Sequence, residues 1–403
     1  MNILYVLHSG LAGGTFYTTL DLIRNINQNH DIFLLGAEES HLILYNYVNG
    51  KLNIIKEFKR DGEWSVKKIH DSWLTYVYFE ILMDYNIDLI HIMHLILHSF
   101  DLPYVAKKLD IKTVLSFHDF YFICPNYVLI NEDGEYCDAI CSQNKKNCKL
   151  EWNIFDDIHF KEILPIWRQE VEKLFNNIDI FISTSNFVKN LYLSTYSNTD
   201  VINSSNFIIL EHGQDFVTKT TDLFEIPSKN SPLKIVCPSN HINTIKGLGI
   251  IKGLKELDKD NELEFHFLGN APDFLRSYGV IHGPYERDEF YKMIEKINPS
   301  FAGIFSIWPE TFCYTISEAW SCNIPVIGTN IGVIQDRIKS NNGGLIIDRH
   351  NLKESYEKIV NLKKLSKNDY LHMISDISKI ELKTTKQMSD EYTKIYYDLI
   401  NSD

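Results

Sequence analysis

Short apolar runs rich in Ile, Leu and Val alternate with longer amphipathic stretches along nearly the whole chain. "NILYVLH", "DIFLLGA", "DLIHIMHL", "KTVLSFHD", "DIFISTS" and "NFIILEHG" read as buried parallel strands, which are apolar on both faces because both are covered. Stretches such as "TTLDLIRNINQ" and "SWLTYVYFEILMDY" read as the helices between them. A polar segment from Gln214 to Pro232, with "TKTTD" and "PSKNSP", interrupts the pattern and reads as a linker. The alternation then restarts with "KIVCPS", "EFHFLG", "SFAGIFS", "PVIGTN" and "GGLIID". From about Asn351 the chain is charged and strand-free, and its last helix, "TKQMSDEYTKIYYDLI", is expected to pack back on the first domain. The pattern predicts an α/β protein with two doubly wound, Rossmann-like domains: residues 1–213, residues 214–385, and a closing helix over 386–403. A chain of 403 residues is long enough for two or three cores.

Charge narrows the partners. The 40 Lys and Arg against 53 Asp and Glu give a formal charge of -13, which argues against nucleic acid as a partner. The start, "MNILYVLHSG", has no basic residue before its apolar run and reads as a first strand, not a signal peptide. No apolar stretch reaches the roughly 20 residues of a membrane helix. A cytoplasmic protein is expected, with peripheral association at the inner membrane face left open. In that setting the seven cysteines read as thiols or metal ligands ahead of disulfides.

In open α/β sheets ligands bind outside the carboxyl ends of the strands, so the residues after each strand carry the function. "HSGLAGGTFYTT" follows the first strand; Gly10, Gly13 and Gly14 there suit either a tight turn or a close backbone approach to a ligand. The spacing is not G-x-G-x-x-G, and Asp31 begins the second strand instead of ending it, which counts against a nicotinamide cofactor. "SFHDFYFICP" puts His118 and Asp119 at a strand end, where a histidine reads as structural or functional. In "HIMH", His94 is the better candidate to face a ligand and His91 reads as structural. Cys124, Cys137, Cys141 and Cys148 follow at C-x12-C-x3-C-x6-C spacing, unlike a standard finger. They read as a structural zinc site or as plain thiols.

"CPSNHINTIKGLGI" sets Lys246 and Gly247 before an apolar helix, where an ammonium beside a helix N-terminus suits a diphosphate. In "SFAGIFSIWPETFCYTISEAW" the strand ends before Glu310, and Glu318 is expected about two turns into the next helix. A carboxylate can accept two hydrogen bonds from adjacent sugar hydroxyls. N–H groups of Phe312, Cys313 and Tyr314 are expected to face an anion between the two acids. Hydroxyls at both ends and a diphosphate in the middle describe a nucleotide sugar. "DKD" at Asp258–Asp260 reads as a solvated turn and not as a metal-binding acidic pair.

These segments resemble the retaining glycosyltransferases of GT-B architecture, family four type. The resemblance runs through "GLAGG", "SFHDFYFICP", "ISTSNFVKNLY", "ILEHGQDF", "TIKG", "FHFLG" and "SIWPETFCYTISEAWSCNIPVIGTNIG". The last contains the family's E-x7-E motif as Glu310 and Glu318, and the cysteine-bearing loop is similar to a subgroup associated with bacterial surface polysaccharides. The resemblance implies two Rossmann-like domains facing a cleft, 1–213 on the acceptor side and 214–385 binding the donor. It implies Glu310 at the donor sugar, Glu318 at the ribose, Lys246 at the diphosphate, and His118 near the reacting centre. Gly13 and Gly14 would approach the phosphate or the acceptor. The family's arginine five residues before the lysine is His241 here, and its "EGFG" core is "ETFC", with Thr311 and Cys313 in place of glycines. Arg287, in "GPYERDEF", follows another strand end. The implied reaction moves a hexosyl or deoxyhexosyl group from a nucleotide-diphosphate donor to a glycan or lipid-linked acceptor. It retains configuration by front-face attack and needs no metal or other cofactor. A nucleotide-sugar 2-epimerase and a non-catalytic nucleotide-sugar-binding subunit are the alternatives. A donor-only assay separates the three.

Overall fold

A computed structural model describes residues 1–8, 13–26, 30–38, 41–60, 69–131, 133–139, 160–216 and 225–402, with no side-chain description for 160–163. The chain divides into two compact units. Unit 1 comprises 1–132, 137–214 and 383–403; unit 2 comprises 133–136 and 215–382.

Unit 1 runs β1 (Asn2–Leu7), α1 (Gly14–Asn25), β2 (Asp31–Ala37), β3 (His41–Val48), β4 (Lys51–Lys59), α2 (Ser72–Asp84), β5 (Leu89–Ile92), α3 (Asp101–Lys108), β6 (Lys112–Ser116), α4 (Phe160–Phe175), β7 (Ile180–Ser183), α5 (Asn186–Thr195) and β8 (Phe207–Ile209). Among the described residues these strands form one sheet in the order β4-β3-β2-β1-β5-β6-β7-β8. All neighbours are parallel except β2/β3 and β3/β4. The β3–β4 hairpin is absent from the sequence reading. Its turn is Asn49-Gly50, both residues left-handed (φ 53° and 78°), the backbone that matches the twist of the flanking strands.

Unit 2 runs β9 (Leu233–His241), α6 (Leu248–Leu257), β10 (Leu263–Asn270), β11 (Gly279–Gly283), α7 (Phe290–Ile297), β12 (Phe301–Ile304), α8 (Tyr314–Ser321), β13 (Val326–Thr329), α9 (Gly332–Asn341), β14 (Gly344–Ile347), α10 (Leu352–Asn361) and α11 (Lys367–Ser378). Its sheet is parallel throughout, in the order β11-β10-β9-β12-β13-β14.

The last helix, α12 (Thr385–Ile400), belongs to unit 1. A capping box at Thr384 and Gln387 starts it. It packs on α1, where Ser389 Oγ donates to Leu22 O at 2.7 Å. Met388, Tyr392 and Tyr396 are buried in the same core as Tyr5, Leu22 and Leu34. His91 is fully buried, with Nδ1 2.6 Å from Tyr396 Oη and Nε2 2.7 Å from Ser116 Oγ. It is a structural group, as its sequence context suggests.

Asp258 corrects the sequence reading. It is 5% exposed and accepts from Lys255 Nζ (2.7 Å), Glu262 N (2.7 Å) and Tyr356 Oη (3.1 Å). It is a buried acid that ties the end of α6 to α10, not a solvated turn.

Candidate active site

Each sheet reverses its winding once, and at that point the loops leaving adjacent strands part and open a crevice. In unit 2 the reversal lies between β9 and β12, whose exit loops carry Lys246 and Glu310. The two loops are stitched together: Ile245 O accepts from Ile307 N at 2.9 Å and from Ser306 Oγ at 3.3 Å. Gly247 makes this approach feasible. Its φ is 88°, and a Cβ there would lie 1.9 Å from Phe305 O.

Lys246 Nζ consequently sits 2.5 Å from Glu310 Oε1, and Ser306 Oγ donates to the same oxygen at 2.9 Å. Glu310 is 7% exposed, whereas the Lys246 side chain keeps 36% of its surface open and lies over the Trp308 ring at 5.4 Å. Burial works to lower the Lys246 pKa, but the Glu310 carboxylate outweighs it and the net direction is up. The lysine is therefore a fixed positive charge at neutral pH.

Glu310 (φ 54°) and Cys313 (φ 64°) both adopt left-handed backbone, which costs a non-glycine residue on the order of 1–3 kcal/mol. Thr311, Phe312 and Cys313 are buried, and α8 begins only at Tyr314. This corrects the expectation that the helix starts earlier. The carbonyls of Phe312 and Cys313 turn inward and each accept from Arg337 Nη1 at 3.0 Å. Glu318 is the fifth residue of α8, just over one turn in and not two. It is 6% exposed, and its Oε2 accepts from Tyr285 Oη at 3.2 Å, so it is no ordinary surface charge. Burial and the Glu310 charge push the Cys313 thiol up to about 12, which leaves it a poor nucleophile. His241, the last residue of β9, is exposed. The Arg287 guanidinium lies 5.2 Å above the Tyr314 ring, at the start of α8. Tyr285 and Arg337 are absent from the sequence reading.

In unit 1 the reversal lies between β1 and β5. His8 follows β1 and His94 follows β5, with ring centroids 4.5 Å apart. His94 Nδ1 accepts from Ile96 N at 3.0 Å, which places its ring proton on Nε2, 2.8 Å from Asp119 Oδ2. Burial raises the Asp119 pKa, but His94 and the Tyr121 N–H outweigh it, so the net direction is down. The His118 ring stacks on His212, centroids 5.2 Å apart and planes 11° from parallel. His8 and His212 had only their strand-end positions to betray them. Gly13 (φ 90°) is the N-cap of α1; Gly13 and Gly14 are exposed, while Gly10 lies outside the described residues.

Two further observations bear on identity. Residues 12–203 match the family model "Glycosyltransferase Family 4", and residues 221–379 match "Glycosyl transferases group 1". The chain is a GT-B glycosyltransferase. No curated protein matches the sequence significantly. Among solved structures, the glycosyltransferase is similar to HepE of Anabaena in complex with UDP-glucose, at 13% identity and TM-score 0.65 over 99% of this chain and 100% of that one. It is similar to a glycosyltransferase of Rickettsia africae, at 17% identity and TM-score 0.61 over 100% and 99%. The catalytic domain of starch synthase IV from Arabidopsis thaliana, bound to ADP and acarbose, aligns at 14% identity and TM-score 0.59 over 99% of each chain. At these identities the likeness carries the fold.

Of the cysteine set in this glycosyltransferase, Cys124 is buried, with its sulfur 3.4 Å from the Asn126 N–H, and Cys137 is half-buried. Cys141 and Cys148 lie outside the described residues, so the zinc reading does too. Among the described residues no helix is long and apolar enough to cross a membrane.

The histidines predict an acid-labile unit 1. Burial lowers the pKa of His118 and His98 to about 4 and of His8 to about 3. The unfolded chain takes up these protons near 6.5, the native unit only at 3–4, so unfolding is favoured as pH falls through that window. Urea midpoints followed by circular dichroism are expected to drop between pH 7 and pH 5. Equal midpoints at the two pH values would contradict the burial of neutral imidazoles.

Proposed function

We propose that this glycosyltransferase moves a hexosyl or deoxyhexosyl group, with retention of configuration, from a nucleotide-diphosphate donor to a glycan or lipid-linked acceptor. The setting proposed is bacterial surface polysaccharide synthesis, at the cytoplasmic side of the membrane. The observation that carries the reading is the convergence of Lys246, Glu310 and the start of α8 at the winding reversal of the unit 2 sheet. Glu318, with Tyr285 beside it, is assigned to the ribose hydroxyls. Glu310 is assigned to the hydroxyls of the transferred sugar, and Lys246, with His241 on the same strand exit, to the diphosphate. The loop Thr311–Cys313 and Tyr314 line the phosphate path. On unit 1 the residues assigned are His118 and the Gly13–Gly14 turn.

The chemistry fits this set without a metal. The bond between the anomeric carbon and the phosphate oxygen breaks as the acceptor oxygen attacks from the same face. The leaving phosphate takes the acceptor's proton. Negative charge grows on that phosphate, and a fixed ammonium and helix N–H groups stabilise it where it develops. No side chain is assigned as general base. HepE has been solved with UDP-glucose and the starch synthase with ADP, which supports a nucleotide-linked donor for this chain as well.

Thermal shift with UDP, GDP, dTDP and ADP, with and without magnesium, tests the donor site. A ligand that binds only the native state raises its apparent stability by mass action. One nucleotide is expected to stabilise strongly without metal, and its sugar conjugate to be hydrolysed or transferred with retention. Epimer formation would assign the chain to the epimerases, and binding without turnover to the non-catalytic subunits.

A further inference from the structure

We infer that Arg337 is a positioning residue that aims the backbone N–H groups at the start of α8 toward the donor diphosphate. The inference rests on the donor-site reading above and concerns the part of that site built from backbone. Arg337 lies on α9, one strand further along the sheet, and its guanidinium reaches under the Glu310 loop. Nη1 donates to Phe312 O and to Cys313 O, each at 3.0 Å, and Nη2 donates to Ser317 Oγ at 2.8 Å. The cation also lies over two rings, 4.4 Å from the centre of Phe312 and 5.1 Å from that of Trp320.

A peptide unit is planar and trans, so its C=O and the following N–H point in opposite directions. Pinning the carbonyls of Phe312 and Cys313 to one cation therefore turns the N–H groups of Cys313 and Tyr314 away from Arg337. The Lys246–Glu310 pair lies close enough to this turn for both charges to act on the Cys313 thiol. The turn needs such a brace, because Cys313 sits at φ 64° with a side chain in a region that favours glycine. Arginine suits the task. One planar fork spans two carbonyls and a hydroxyl while lying against two aromatic rings, which a lysine ammonium cannot do.

The test measures the gain in affinity from nucleoside to nucleoside diphosphate, using uridine and UDP or the pair whose base binds the parent chain. Arg337→Ala and Arg337→Lys are compared with the parent, with thermal melts confirming that each is folded. Both variants are expected to cut the diphosphate gain about tenfold, the worth of a charge-assisted hydrogen bond, and to leave nucleoside affinity unchanged. A folded Arg337→Lys protein with the full gain would overturn the inference, because charge alone would then suffice. Parallel loss of nucleoside and diphosphate binding would overturn it too, since that is the mark of a general structural role. A parent chain with no diphosphate gain would remove the donor-site reading itself, and the role of Arg337 with it.

Discussion

Glu310→Gln is expected to lower transfer by about a thousandfold while leaving the fold intact, the scale of losing one oriented polar group at a reacting centre. Glutamine keeps the size of the side chain and can still accept from Ser306 Oγ. It removes the negative charge that Lys246 Nζ meets at 2.5 Å and that holds the lysine pKa up. The variant also loses one of the paired acceptor sites that two adjacent sugar hydroxyls require. Steady-state transfer with the donor identified by thermal shift, set beside a melt of the same protein, checks both halves. Near-normal turnover in a folded variant would remove Glu310 from the role assigned to it.

The second large effect belongs to a residue with no side chain. Gly247→Ala is expected to destabilise unit 2 by about 3 kcal/mol and to abolish donor binding in whatever fraction stays folded. The added methyl would meet Phe305 O at 1.9 Å, and its backbone would be left-handed at φ 88°. The loop cannot yield by moving a flexible side chain, because the obstruction is the backbone at the end of β12. The loop must instead lift away from that strand, carrying Lys246 with it. Urea unfolding and nucleotide titration of the same preparation measure the two effects. Gly14→Ala is the control: it has nothing within 4 Å of its Cβ and an ordinary φ, and is expected to be tolerated for folding.

Most of the strands that were legible in the sequence, such as β1, β5 and β12, are buried on both faces, where apolar runs favour that reading. The β3–β4 hairpin escaped because its outer strand is largely exposed and mixes Lys, Asn and Glu with isoleucine. The Asn49-Gly50 signal was nonetheless present. Lys246, Glu310 and Glu318 could be read because each lies just after a strand or within the next helix, where sequence spacing and spatial position still correspond. Arg337 and Tyr285 could not, because they reach the same loop and helix from other βα units, and only the order of strands in the sheet brings them near. Asp258 illustrates the reverse error: in a turn-like run of charges, composition implied water, whereas Lys255, Glu262 N and Tyr356 enclose it.

The placement of α12 bears on how such a molecule is made. Unit 2 draws its strands and helices from one continuous stretch, so it has what it needs to fold as soon as that stretch emerges from the ribosome. Unit 1 does not. Tyr5, on its first strand, shares a core with Tyr392 and Tyr396, and the Tyr396 hydroxyl is 3.2 Å from the Tyr5 hydroxyl. This part of the β1 core thus closes only when α12, 391 residues further along, has been made. During that interval the nascent first unit lacks part of its interior. A chain lacking α12 would carry every strand and helix of unit 2 but leave apolar surface of the unit 1 core uncovered, the kind of surface that makes incompletely folded chains prone to aggregate.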